Sequence, residues 1–258
     1  MSTTTPQPTP RTAVVTGAAS PRGIGRATAL RLARDGWAVA VLDLDGGLAV
    51  ETAEAIAAET GAVVRGYKVD VADEASVDEA LSAVEAEMPA IAGLATIAGI
   101  TSPTRFFDTT LAEWNRIMAV NATGTYLVAR RTAAGMAERG YGRIVTMSSV
   151  SAIRGGGVFG GVPYSAAKAA VLGLTRAMAR ELGPRGVTVN SVTPGVVSTD
   201  IRAGKTSPEL EASLAADVPL GRQATAEDVA ALFAFLLSEE SGYITGATYD
   251  INGGSHIS

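Results

Sequence analysis

Thr12-Ala-Val-Val-Thr16-Gly17-Ala-Ala-Ser20-Pro-Arg22-Gly23-Ile24-Gly25 is the stretch that decides the fold. Thr12–Thr16 alternates small apolar and β-branched residues and predicts a strand, and the amphipathic run from about Gly23 to Asp35 predicts a helix. Between them, glycines form the turn. Without side chains, such a turn lets the backbone approach a pyrophosphate, and the first N–H groups of the helix point at it. A glycine cluster alone is also what an ordinary turn needs. The strand–turn–helix setting is what tips the reading toward a dinucleotide site made of Gly17, Ser20, Arg22, Gly23, Ile24 and Gly25.

Working outward, Asp43 ends the next apolar strand, Trp37–Asp43. A carboxylate there accepts hydrogen bonds from adenosine ribose hydroxyls and repels a 2′-phosphate, which favours NAD over NADP. Arg22 pulls the other way, since a guanidinium can pair with a phosphate. NAD is therefore the expected cofactor, with NADP second.

Strands and helices keep alternating: Gly47–Glu59 helix, Val63–Val69 strand, Glu74–Glu87 helix, Ile91–Ile97 strand. A long helix over Leu111–Arg139, a strand at Arg143–Ser148, a helix at Tyr164–Leu182 and a strand at Val187–Val192 follow. A short helix around Pro208–Ala216, a helix at Ala226–Leu237 and a last strand at Thr248–Ile251 complete the pattern. Continuous apolar strands interleaved with helices predict an α/β fold: a doubly wound parallel sheet of about seven strands, helices on both faces. Residues 11–258 read as one domain, preceded by a disordered tail at 1–10 rich in threonine and proline. Two long loops, Ser149–Pro163 and Val196–Ala224, are expected to bind or cover ligands.

Composition removes whole classes of chemistry. The 258 residues contain no cysteine and one histidine, His256, so disulfides, thiolate catalysis and a multi-histidine metal site are excluded and no metal is expected. The net charge is −5 with no basic block, which argues against nucleic acid or an anionic membrane as partner. No apolar stretch is long enough to span a bilayer, and a cytoplasmic location is expected.

Tyr164-Ser-Ala-Ala-Lys168 carries the chemistry. Residues four apart share a helix face, and an ammonium beside a phenol lowers the phenol pKa, making Tyr164 a proton donor or acceptor near neutrality. The plain alternative is a surface contact worth ~0.2–0.5 kcal/mol. Ser149 upstream, at a strand end, adds a hydrogen-bond donor beside the reacting oxygen.

Taken together, these motifs resemble the short-chain dehydrogenase/reductase family from about residue 11 to the C-terminus. The glycine motif matches Gly17, Gly23 and Gly25, with Pro21 and Arg22 as a two-residue insertion. Asp70-Val71 matches the family's adenine-contacting pair, and Thr96-Ile97-Ala98-Gly99 matches Asn-Asn-Ala-Gly with both asparagines replaced. Asn121 matches the asparagine that positions a lysine-bound water, Ser149 the catalytic serine, and Tyr164 and Lys168 the catalytic pair, with Ser151 a fallback for the serine. Pro194-Gly195-Val-Val197-Ser-Thr199 matches the segment that bonds the nicotinamide carboxamide.

The resemblance implies a Rossmann-fold homotetramer that interconverts a secondary alcohol, such as a sugar, polyol or similar small hydroxy compound, and its ketone. Catalysis would rest on Asn121, Ser149, Tyr164 and Lys168. Cofactor contacts would come from the glycine turn, Asp43, Asp70, Val71, Ile97, Ala98, Gly99, Tyr164, Lys168, Pro194, Gly195, Val197 and Thr199. Two rivals stay open: an NADPH-dependent 3-oxoacyl-thioester reductase, and a non-catalytic NAD-binding sensor.

Overall fold

In the computed structural model, residues 10–157, 159–202 and 207–257 are described. Seven strands lie in the order β3-β2-β1-β4-β5-β6-β7, and every neighbouring pair is parallel. They are β1 (Thr12–Thr16), β2 (Ala38–Asp43), β3 (Val64–Lys68), β4 (Ile91–Thr96), β5 (Gly142–Met147), β6 (Val187–Pro194) and β7 (Thr248–Ile251). The helices are α1 (Ile24–Arg34), α2 (Gly46–Thr60), α3 (Glu74–Glu87), α4 (Leu111–Met118), α5 (Gly124–Arg139), α6 (Ser151–Arg154), α7 (Val162–Leu182), α8 (Pro208–Ala216) and α9 (Ala226–Leu237). This is a Rossmann-type doubly wound sheet.

Side chains alternate across each strand, and the two cores follow that alternation. Ala13 and Val15 of β1 pack with α1, α2 and α9 on one face, while Val14 packs with α3, α5 and α7 on the other. Both faces are therefore apolar, which explains why the strands read as unbroken hydrophobic runs. From β1 the chain runs outward through β2 and β3, then returns to β4 on the other side of β1. The order reverses there, so the carboxyl ends of β1 and β4 diverge into a crevice.

Two expectations need correction. The long helix over Leu111–Arg139 is interrupted by a π-helical turn at Ala119–Thr123. The turn contains Asn121, whose amide donates to the carbonyls of Ile117 and Ile100 (both 3.0 Å). A π-turn leaves carbonyls without their usual i→i−4 partners, and here the asparagine side chain takes one of them. The loop Ser149–Pro163 also holds the short helix α6, which no periodicity in four residues can announce.

Candidate active site

The crevice opens into a cleft of about 660 Å³ along the carboxyl edge of the sheet. Its near wall is the glycine turn. A Cβ on Gly17 would lie 2.7 Å from Ala98 Cα, and one on Gly25 would lie 2.2 Å from the Gly17 carbonyl oxygen, so no side chain fits at either position. Gly23 is the N-cap of α1 without any side-chain cap, and no acidic residue sits in its first turn. Such a helix start suits an anion. The backbone cradle thus fits the pyrophosphate of a dinucleotide.

Asp43 stands where β2 meets this turn. Its Oδ2 accepts from the Ala19 amide (3.0 Å) and the side chain lines the cleft, which fits an adenosine ribose held by its hydroxyls. Val71, Ile97, Ala98, Gly99, Pro194, Gly195, Val197 and Thr199 also line the cleft, as do Ser20, Gly23 and Ile24.

Two residues of the expected cofactor set do not. The Asp70 carboxylate accepts from the Ala72 amide (2.9 Å), acting as a turn cap outside the cleft wall. Arg22 points at Asp200: its amide donates to Oδ2 (2.8 Å) and its Nε to Oδ1 (2.6 Å), while Ser20 Oγ donates to Oδ2 (3.1 Å). The Arg22 amide and guanidinium hold the Asp200 carboxyl below its usual range. The cation that argued for a phosphate is thus already neutralised. No local pattern reveals this pair, because its members are far apart in the chain.

The second wall gathers the chemistry-bearing side chains. Asn121 is fully buried, and its Oδ1 accepts from the Ile100 amide (3.3 Å). A Cβ on Gly99 would meet Asn121 Oδ1 at 2.6 Å and Lys168 Nζ at 3.3 Å, so amide and ammonium flank one glycine. Lys168 is buried, and its ammonium donates to the Met147 carbonyl at the end of β5 (2.9 Å). One residue on, Ser148 Oγ donates to the Lys168 carbonyl (2.8 Å), pinning α7 to β5. Ser149 Oγ accepts from the Ser151 amide (3.2 Å). The Ser149 side chain hydrogen-bonds the Tyr164 hydroxyl.

The electrostatics differ from the expected pair. Lys168 Nζ lies 5.8 Å from the Tyr164 ring centroid and turns to a backbone carbonyl. Burial pushes the Tyr164 phenol up, with the Ser149 hydrogen bond only opposing it, and burial pushes Lys168 down to about 8. Desolvation penalises the charged form of each group.

Thr96, the position matched above to the first asparagine of the family motif, is buried with its hydroxyl lacking a partner among the described residues. The amides of Ile97 and Ala98 are instead held by Thr16 Oγ1, at 3.0 and 3.1 Å. The segment missing its asparagines is therefore tied from β1. Sequence reading also passed over Leu44, Val69, Ile100, Val120, Met147, Val196, Ile201 and Leu214 as cleft lining, residues with no signal beyond being apolar. Phe106 and Phe107 are exposed in a 3₁₀ turn and stack edge-on.

A parallel sheet with a glycine-lined crevice and a Ser–Tyr–Lys–Asn cluster on its second wall defines a class of nucleotide-dependent oxidoreductase. A protein-family model described as "Enoyl-(Acyl carrier protein) reductase" matches residues 17–256. An uncharacterized short-chain type dehydrogenase/reductase of Sinorhizobium fredii is 48% identical over 96% of this chain and 98% of its own length. A 2-(S)-hydroxypropyl-CoM dehydrogenase of Xanthobacter autotrophicus is 40% identical over 90% and 92%. The solved structure of a putative gluconate dehydrogenase from Agrobacterium tumefaciens superposes with a TM-score of 0.88 at 30% identity, covering 95% of each chain. The chain belongs to the short-chain dehydrogenase/reductase family, whose members are oxidoreductases that use NAD(P). Among the described residues, no helix is long and apolar enough to cross a membrane.

Proposed function

We propose that the protein interconverts a secondary alcohol, of the sugar, polyol or small hydroxy-compound class, and its ketone, with NAD as cofactor. The observation that carries this reading is the convergence of Ser149, Tyr164, Lys168 and Asn121 on one wall of a cleft whose other wall is the glycine turn. The glycine turn would hold the pyrophosphate and Asp43 the adenosine ribose. The nicotinamide, when bound, supplies the hydride acceptor for oxidation and the donor for reduction.

The chain's own groups handle the proton and the developing charge. Tyr164 takes the hydroxyl proton during oxidation and returns one to oxygen during reduction. Ser149 donates a hydrogen bond to the substrate oxygen where negative charge builds. Lys168, poised near pH 8, exchanges a proton with Tyr164's surroundings, and Asn121 fixes the backbone around Gly99 and anchors a water on the route to solvent. Because burial raises the phenol, Tyr164 is protonated at neutral pH in the free protein, and oxidation should accelerate as pH rises.

NAD is preferred on two grounds. Asp43 faces the cleft at the ribose end, and Arg22 is paired with Asp200. The second reading, an NADPH-dependent 3-oxoacyl-thioester reductase, is favoured by the carrier-protein description of the matching family model. Absorbance at 340 nm decides between them, offering NAD or NADP with polyols, sugars and secondary alcohols, and NADH or NADPH with ketones and 3-oxoacyl thioesters. Turnover with NAD and a small alcohol supports the proposal; turnover only with NADPH and a thioester selects the second reading. We read the assembly as a cytoplasmic homotetramer, and a monomeric mass by light scattering would overturn the tetramer.

A further inference from the structure

The turn that follows Ser149 carries an arginine that the proposed chemistry leaves unused. Arg154 closes α6 and lines the cleft together with Ser149, Ser151 and Tyr164. Three glycines with left-handed or near-left-handed backbone, Gly155 (φ +74°), Gly156 (φ +82°) and Gly157 (φ +144°), fold the chain back beside it. The Gly156 amide donates to Ser165 Oγ (3.0 Å), fastening this strap to α7 one residue past Tyr164. At Gly157 a Cβ would lie 3.5 Å from Arg154 Nη2 and 4.0 Å from Ser151 Oγ; at Gly160 one would lie 2.7 Å from Ser151 Oγ and 3.1 Å from the Tyr164 ring. Guanidinium, Ser151 hydroxyl and Tyr164 ring therefore follow one another along the strap.

No carboxylate pairs with Arg154 among the described residues. The cleft's other cation, Lys168, is buried against the Met147 carbonyl. Of the carboxylates facing the cleft, Asp43 lies at the end of β2, three strands from β5, and Asp200 is engaged by Arg22. Asp217, at the end of α8, is exposed on the covering loop. Leu214 and Phe159 add apolar lining to this part of the cleft. A guanidinium with no carboxylate partner among the described residues, beside a hydroxyl at the cleft edge, is the donor set that recognises an oxyanion.

We propose that Arg154, with Ser151, selects substrates bearing an oxyanion (carboxylate, sulfonate or phosphate) on the carbon chain that carries the secondary alcohol. This rests on the alcohol–ketone reading of the site and narrows its substrate class to hydroxy acids and their keto counterparts. The redox balance is unchanged: the alcohol loses a hydride to NAD and a proton to Tyr164, and the anionic group keeps its charge throughout. The oxyanion belongs either to a small free acid or to the phosphates of a thioester carrier.

The test compares wild type, Arg154→Gln and Arg154→Lys on 3-hydroxybutyrate, on its neutral near-isostere 4-methylpentan-2-ol, and on 3-hydroxybutyryl-CoA. A lost hydrogen bond to a charged group should cut the acid-to-alcohol ratio of kcat/KM about 10- to 100-fold in Arg154→Gln, mainly through KM, with partial recovery in Arg154→Lys. A fall confined to the free acid identifies that source, and a fall confined to the thioester identifies the carrier. Equal losses on acid and neutral alcohol would mean a structural role or a closing contact with Asp217, and would overturn the proposal, as would a wild type indifferent to the acid. If no alcohol is oxidised by any form, the alcohol–ketone reading fails. Calorimetric titration with 3-hydroxybutyrate then still decides: binding lost in Arg154→Gln supports the anion site, and unchanged binding rejects it.

Discussion

Gly25, under β1, and Gly155, in the strap after β5, are glycines for opposite reasons. At Gly25 the backbone is ordinary but space is absent, since a Cβ would sit 2.2 Å from a carbonyl oxygen. At Gly155 space is open, with nothing within 4 Å, but the backbone is left-handed at φ +74°. Gly25 belongs to a close-packed cradle between regular elements; Gly155 belongs to a strap, and there the backbone path rather than packing demands glycine. The contrast fits a shared cofactor and a variable substrate: rigid packing serves a ligand common to a family, while loop geometry is free to change with the substrate.

Methyl groups added at the two glycines should therefore cost different amounts for different reasons. Gly25→Ala must displace the Gly17 carbonyl and is expected to cost about 3 kcal/mol or more, seen as a thermal midpoint several degrees lower and as lost NAD affinity. Gly155→Ala should cost about 1–2 kcal/mol through strain alone, with NAD binding preserved. Equal effects of the two on NAD binding would erase the comparison.

Lys168 gives the next effect, comparable in size. Its pKa is about 8 folded against 10.5 for the free side chain. Between those values the unfolded chain binds the extra proton, so stability rises with pH through that window, by on the order of 3 kcal/mol in total. Lys168→Met should remove this rise, as denaturant titrations at several pH values would reveal. A rise retained in the variant would show that the lysine keeps its ordinary pKa.

Asp43→Ala should shift the NADP-to-NAD preference in kcat/KM by about 10-fold, the weight of one charged hydrogen bond. Adding Asp200→Asn, which frees Arg22, should move it further in the same direction. If neither moves it, the cofactor argument is wrong. Smallest of all is Thr96→Val. The Thr96 hydroxyl is buried without a partner among the described residues, so removing it should leave stability within about 1 kcal/mol of wild type or slightly above.

Parts of the molecule also differed in how much the sequence disclosed. β1, α3, α8, α9 and β7 were readable to the residue, because each is a local run of one period bounded by glycine, proline or a capping side chain. Tyr164, Lys168 and Ser149 were named from spacing and position, Asn121 from the family resemblance. What stayed hidden is non-local or too short. The Arg22–Asp200 pair joins two loops remote in sequence, α6 has four residues, and the π-turn differs from its flanking helices by one hydrogen-bond step. The electrostatics were misjudged for a related reason. Helical spacing brings Tyr164 and Lys168 to one face, but their burial depends on β5 and the cleft, and burial dominates both groups.

Tyr164→Phe tests the central claim most directly, with NAD affinity and alcohol oxidation measured on the same preparations. The account predicts NAD binding within a few-fold of wild type and oxidation reduced by at least ~100-fold, the ordinary scale of a lost general base. Oxidation that survives the substitution would contradict it, and so would a wild type that binds NAD yet turns over nothing across the alcohol and ketone panel, which is the behaviour of a sensor.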